Sequence, residues 1–272
     1  MTGLIDTHAH LDFPDFTQDL ESVLERAKEV GVKKIISIGT CLESSLAALQ
    51  LADRYPEVYA AVGIHPCNVE EESADALTKL EPLLSHPKVA ALGECGLDYH
   101  HLPTRLDQET DLDYSARWQT LKEKQASFFR KQLELAASHH LNVVVHQRDS
   151  WDDTLTLLQP FSHQLKAVFH CFGGSPAQAQ EIIAMGHLVS FTGIVTFKNA
   201  VLVRESIRSL TSGTFMVETD CPYLAPVPHR GKRCEPSHVE LVAETIGQVR
   251  QQTQENLRAE LWQTTHAFFR LE

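Results

Sequence analysis

Two histidines one residue apart, His8 and His10, follow the apolar pair Leu4-Ile5 at the end of a segment that reads as a strand. In extended backbone, positions i and i+2 face the same side. Both imidazoles can therefore address one point in space, which is the usual arrangement for holding a divalent metal ion. In a chain with 15 histidines a His-x-His pair also arises by chance, so the reading depends on what other groups accompany it. Ligand-type side chains do recur at the ends of later apolar segments: Glu94, His146, His170 and, in Glu218-Thr219-Asp220, Asp220. Singly, a histidine at a strand end is an ordinary hydrogen-bonding group. Four imidazoles and two carboxylates at the same end of one fold are the makings of a metal centre.

Those residues need elements to position them, and the sequence alternates strand-like and helix-like stretches. After the opening strand, Leu20, Val23, Leu24, Ala27 and Val30 recur at helical spacing and Gly31 ends the run. A strand over Lys33 to Ile38 precedes a helix capped by Ser44, carrying Leu46, Leu49 and Ala52 and closed by Pro56. Strands follow at Val58 to Gly63 and Val89 to Leu92, with a polar helix around Ala74 to Leu84 between them. A long helix over Leu121 to Leu141 leads to strands at Asn142 to His146 and Leu165 to His170, separated by a helix over Trp151 to Leu158. Ser175-Pro176 opens a helix to Met185. Leu188 to Phe191 and Phe215 to Val217 complete the strands around a helix from about Ala200 to Leu210, and two helices follow Ser237.

Eight short apolar strands, each followed by a helix and with no break in composition, predict an α/β protein: a single (β/α)8 TIM-like barrel domain spanning 1–272, with extra C-terminal helices. An open doubly wound sheet is the alternative. Its dinucleotide form calls for Gly-x-Gly-x-x-Gly after the first strand, where this chain has His-Ala-His. Barrels carry their chemistry at the C-terminal strand ends, where the ligand-type residues fall. An insert over His100 to Thr120 interrupts the fourth strand-to-helix connection. Its Asp107, Glu109, Asp111 and Asp113 suggest a calcium loop, but the turn glycine is Leu112 and no closing glutamate is present, which favours a solvated acidic loop.

Composition sets outer bounds. At 43% hydrophobic residues the chain can bury a substantial core. A net charge of −12 argues against a broad duplex-binding face. No apolar run approaches the roughly 20 residues of a membrane span, no protein partner is implied, and the direct start into Asp6 and His8 without a basic or apolar leader suggests a cytoplasmic protein. Six cysteines without a Cys-x-x-Cys pair fit reduced thiols. Six ligands exceed the needs of one tetrahedral ion and suit two divalent ions sharing a carboxylate, for which Glu94, central in the strand order, is the natural bridge.

The motifs IDTHAHLD, VGIHP, LGECGLDY, VVVHQRD, FHCFGG, ETDCPYLAP and PHRGKRCEP run almost end to end. Together and in this order they resemble the TatD family of metal-dependent deoxyribonucleases, barrel members of the wider amidohydrolase group. The resemblance implies His8, His10, Glu94 and Asp220 around one ion and Glu94, His146 and His170 around the other. It also implies hydrolysis of DNA phosphodiesters from an end of a single strand, supported by Mg. Four imidazoles by their own chemistry suit Zn, Mn, Fe or Ni, so Zn, Mn and Mg are the candidate ions. The chain departs from the family pattern in its long acidic insert, in Cys67 where histidine is common, and in Cys234 where asparagine precedes Glu-Pro.

Roles follow from placement. Asp220 is the candidate to orient a water and take its proton. Glu94 is the shared carboxylate, and His65, at the end of the third strand, can reach a phosphate oxygen or the leaving group. Asp6, two residues before His8, is a candidate for orienting an imidazole. The basic stretch His229, Arg230, Lys232 and Arg233 follows the strand of Asp220 and can bind phosphate, or be no more than a solvated turn. Cys95, Cys171 and Cys221 each follow a proposed ligand, and strand alternation turns them away as passive thiols. The expected substrate is single-stranded DNA or a small phosphoester. Two rivals use the same residues: a metal-dependent hydrolase of a small ester, amide or nucleobase, and a metal-binding scaffold without catalysis.

Overall fold

The structure, a computed structural model, describes residues 3–73, 75–101 and 103–271; Ala74 and Leu102, within the expected third helix and the insert, lie outside them. Eight strands form one sheet in sequential order, and every neighbouring pair is parallel. They are β1 (Leu4–Ala9), β2 (Val32–Ile38), β3 (Val58–Val62), β4 (Val89–Asp98), β5 (Val143–Arg148), β6 (Ala167–Phe169), β7 (Leu188–Phe191) and β8 (Phe215–Val217). The ring is drawn together between the first strand and the segment after the last. Asp220 N donates to His8 O at 2.8 Å, His10 N donates to Cys221 O at 2.8 Å, and Ala9 pairs with Cys221. The expected (β/α)8 barrel is the observed fold. Parallel strands covered on both faces read as continuous apolar runs, and all six residues of β1 and all ten of β4 are buried.

The helices are α1 (Leu20–Glu29), α2 (Leu42–Arg54), α3 (Ala76–Leu80), α4 (Asp111–Ser138), α5 (Trp151–Leu158), α6 (Pro176–Ala184), α7 (Val201–Ser209), α8 (Val239–Arg250) and α9 (Gln254–Phe269). Among the described residues no helix is long and apolar enough to cross a membrane. The last helix plugs the barrel. Phe268, Phe269 and Leu271 pack with Ile5, Ile36, Val144, Val168 and Met216, and Asn142 Nδ2 donates to Phe268 O at 2.6 Å. The N-terminal end of the barrel is thereby filled with apolar side chains, which leaves the opposite end for chemistry.

Four expectations need correction. Cys41, not Ser44, is the N-cap of α2; Ser44 is the third helical residue, and its hydroxyl accepts from Thr40 N at 2.6 Å. Leu46 is exposed rather than buried. The fourth strand does not stop at Gly93-Glu94 but continues to Asp98, so Glu94 lies mid-strand. Gly93 and Gly96 make this possible: both hold positive φ (149° and 145°), and a Cβ on Gly96 would come within 2.0 Å of His146 O. Finally, half of the insert is helix. Thr110 caps α4, its hydroxyl accepting from Asp113 N at 3.1 Å, and Asp111 and Asp113 occupy the first turn, where the helix dipole favours negative charge. Glu109 pairs with Arg117 at 2.9 Å. The alternating acids are thus cap and ion-pair partners rather than a calcium loop.

Candidate metal centre

At the C-terminal end of the barrel the strand-end side chains converge. His8 Nε2 lies 3.3 Å from His10 Nε2, 3.3 Å from Glu94 Oε2 and 3.6 Å from Asp220 Oδ1, and His10 Nε2 lies 3.4 Å from the same Asp220 oxygen. A tetrahedral ion with bonds of about 2.0–2.2 Å separates its ligands by about 3.3–3.6 Å. The four separations around His8 and His10 are those of ligands about one ion, and the residues fit a divalent ion. The second set gathers on the other oxygen of Glu94. Oε1 is 2.8 Å from His146 Nδ1, 2.9 Å from His170 Nε2 and 3.5 Å from His65 Nε2. Glu94 presents one oxygen to each group of imidazoles.

These contacts shift the ionisation of the site. Burial disfavours the Glu94 carboxylate, but the surrounding imidazoles, His170 foremost, outweigh it and hold the carboxyl well below its usual range. Asp220 behaves likewise: burial opposes its charge, and the bond to His10 and the nearby His8 keep it ionised. Its backbone sits at φ 58°, a conformation uncommon outside glycine and concentrated at functional sites. Burial pushes His65 down to about 3, so its imidazole is neutral. Because His65 Nδ1 accepts from Cys67 N at 3.1 Å, its proton sits on Nε2, facing Glu94.

The remaining expected residues are placed as follows. Asp6 does not touch the His8 ring. Its carboxylate accepts from Thr219 N at 2.9 Å, from Thr219 Oγ1 at 2.6 Å and from His8 N at 3.4 Å. It works on backbone, tying β1 to the segment that carries Asp220. The basic stretch is not brought into the cavity. Arg233 forks onto Asp19 at 2.8 and 2.7 Å, Arg230 lies over the Phe197 ring at 4.4 Å, and His229 stacks on His238 at 4.4 Å; Lys232, with its neighbours, is absent from the cavity wall among the described residues.

Three functional positions escaped the sequence reading. Asp98 Oδ2 is 3.0 Å from His146 Nε2, and Glu218 Oε1 is 3.4 Å from His170 Nδ1, so His146 and His170 are each backed by a buried carboxylate. Glu218 was visible beside Asp220, and Asp98 would have been found had the fourth strand been continued past Glu94. The third is Arg148, two residues past His146 on β5 and, among the described residues, the lone lysine or arginine in the cavity wall. The cavity holds about 1450 Å³ and is also lined by Phe13, Tyr99, Trp151 and Tyr223. Cys95 and Cys221 are fully buried, away from it. Cys171, expected to turn away, instead lines the cavity, and burial raises its thiol to about 12, so it is protonated.

Comparison with known proteins places these features in a family. The family model described as "TatD related DNase" matches residues 5–270. The chain is 36% identical over 270 residues to an uncharacterized metal-dependent hydrolase, YabD of Bacillus subtilis, covering 98% of this chain and 99% of the relative. It is 35% identical over 245 residues to YcfH of Escherichia coli, of the same description, covering 89% and 86%. The crystal structure of YjjV, a TatD homologue from Escherichia coli K12, superposes with a TM-score of 0.87 at 30% identity over 99% of this chain and 98% of that one. A TatD-family hydrolase from Entamoeba histolytica shares the fold at 23% identity (TM-score 0.82, 98% of both chains). With a family match over all but a few terminal residues and a relative 36% identical along nearly its full length, the chain belongs to the TatD family of metal-dependent hydrolases.

Proposed function

We propose that this hydrolase cleaves DNA phosphodiester bonds, from an end of a single strand, with two divalent ions held by the six histidine and carboxylate ligands. The observation that carries the two-ion reading is Glu94, whose Oε2 faces His8 at 3.3 Å while Oε1 faces His146 and His170 at 2.8 and 2.9 Å. His8, His10, Glu94 and Asp220 would hold one ion, and Glu94, His146 and His170 the other. When bound, such ions supply Lewis acidity, lowering the pKa of water and offsetting charge on phosphoryl oxygens. Asp220, kept ionised, orients the attacking water and accepts its proton. The neutral His65 donates Nε2–H to a non-bridging or leaving oxygen. Arg148 offers a planar fork to a neighbouring phosphate, and Phe13 and Tyr223, in edge-to-face contact at 6.1 Å on the cavity rim, offer faces for an unpaired base. The DNA assignment draws its support from the family's description, and phosphate chemistry from this cavity.

A second reading, a small ester, amide or nucleobase as substrate, is favoured by the net charge of −12 and by Arg148 being, among the described residues, the lone lysine or arginine in the wall. The deciding experiment is a hydrolysis panel on metal-depleted protein with Zn, Mn and Mg added back in turn. It covers single-stranded DNA, RNA, bis(nitrophenyl) phosphate and a carboxyl ester. The expected result is metal-restored cleavage of DNA and of the phosphodiester; turnover of the ester alone reverses the choice.

A further inference from the structure

Beside the metal centre, on the far side of Asp98, lies a separate group of ligand-type side chains. Cys67 Sγ is 3.7 Å from Asp98 Oδ2, His101 Nδ1 is 2.7 Å from the same oxygen, and the three donor atoms lie within 4.8 Å of one another. Asp98 is fully buried, whereas Cys67 and His101 are exposed and both line the wall of the cavity. An ion arriving from solvent therefore meets a thiol and an imidazole backed by a fixed carboxylate. Loop and strand each contribute to this placement. Cys67 lies in the turn after β3, just past His65, and His101 in the turn after β4. Asp98 Oδ1 accepts from the backbone N–H of both His100 and His101 at 2.8 Å, which pins that turn against the carboxylate.

We infer that Cys67, Asp98 and His101 form an additional divalent-ion site, selective for zinc-like ions over magnesium, and joined to the catalytic centre through Asp98. The selectivity follows from the donors: thiolate and imidazole suit Zn and exclude Mg, which demands oxygen. Three protein ligands leave a fourth position for water. Proton balance is simple. The thiol proton of Cys67 is released to solvent, and the His101 proton moves from Nδ1, where it now faces Asp98, to Nε2, so that Nδ1 carries the lone pair. The coupling follows from Asp98 Oδ2, which also lies 3.0 Å from His146 Nε2. An ion on that oxygen draws away charge that otherwise backs His146, and so weakens His146 as a ligand on its Nδ1 side. Occupancy of the outer site thus lowers ion affinity at the second catalytic position.

The site stands independently of which substrate is cleaved, and the test needs no turnover. Metal-depleted full-length protein is titrated with Co(II), followed by absorbance in the near ultraviolet, where a thiolate ligand gives a charge-transfer band that imidazole and carboxylate do not. The wild type is expected to show the band and to bind one equivalent more than Cys67→Ser, in which the band is absent and the other equivalents remain. Cys67→His is expected to recover the equivalent without the band. His101→Ala is expected to weaken the thiolate-linked ion by at least the roughly 10–100-fold that even outer partners of a metal command. Circular dichroism checks that each variant is folded. A wild type without the band, or a Cys67→Ser protein that keeps it, overturns the proposal.

Discussion

Asp6 and Thr219 are joined twice across the closing seam of the barrel, at 2.9 Å to the backbone N–H and 2.6 Å to the hydroxyl. This link sets the separation of His8 and Asp220, which are each two residues or fewer from the joined pair. Burial pushes the Asp6 carboxyl up to about 8 despite those bonds, so near neutral pH it is largely a neutral acid, its Oδ1 keeping the two N–H bonds while the protonated Oδ2 turns its hydrogen to Thr219 Oγ1. Asp6→Asn reproduces both the shape and the neutral state and should leave stability close to wild type. Asp6→Ala strands the buried Thr219 groups and should cost about 1–3 kcal/mol. Urea unfolding of the two variants checks the difference, and calorimetric metal titration should show weakened binding in Asp6→Ala alone.

Asp220 is assigned the proton transfer. Asp220→Asn keeps the volume and removes the base, so turnover of bis(nitrophenyl) phosphate should fall by about 10²–10⁴-fold with an unchanged circular dichroism spectrum. Full activity would remove Asp220 from the mechanism.

Phosphate recognition is expected at Arg148 rather than in the 229–233 stretch. Arg148→Ala should raise KM for single-stranded DNA by roughly tenfold or more, the worth of a charge-assisted contact. Arg233→Ala, which breaks the half-exposed fork onto Asp19, should lower stability by about 1 kcal/mol and leave KM alone. Steady-state kinetics on the pair of variants distinguishes the two surfaces.

His187 supplies a pH-dependence of stability away from the metal centre. Its Nδ1 accepts from Ala167 N at 3.2 Å and its Nε2 lies 3.0 Å from Ser162 Oγ. Burial, with Lys166 nearby, pulls its pKa from the ordinary 6.5 down to about 4. Protonation would point a second N–H at the Ala167 N–H. Above pH 6.5 the ring is neutral in both folded and unfolded chains and imposes no penalty. As pH falls from 6.5 towards 4 the unfolded chain takes up the proton first, and stability drops by an amount on the order of 3 kcal/mol when the descent is complete. His187→Gln should flatten that part of the curve, which denaturant unfolding between pH 7.5 and 4 measures as the difference from wild type.

Much of this molecule was legible in its residues. Parallel strands buried on both faces must be apolar runs, so β7 and β8 and the helix over Trp151 to Leu158 could be bounded to the residue. The candidate ligands His8, His10, Glu94, His146, His170 and Asp220 could be picked out by side-chain type, and the barrel brings them together at one end. Tertiary structure decided what local pattern cannot encode. Gly93, which read as the end of the strand, and Gly96 beyond it instead let β4 pass close to β5 and carry Asp98 behind His146. The charges of the 229–233 stretch were plain, but their destination was not: Asp19, more than two hundred residues earlier, captures Arg233. Residue type and local period determine which groups can do chemistry. Which of them face the cavity depends on long-range neighbours competing for the same hydrogen bonds and charges, and those neighbours exist only once the barrel has closed.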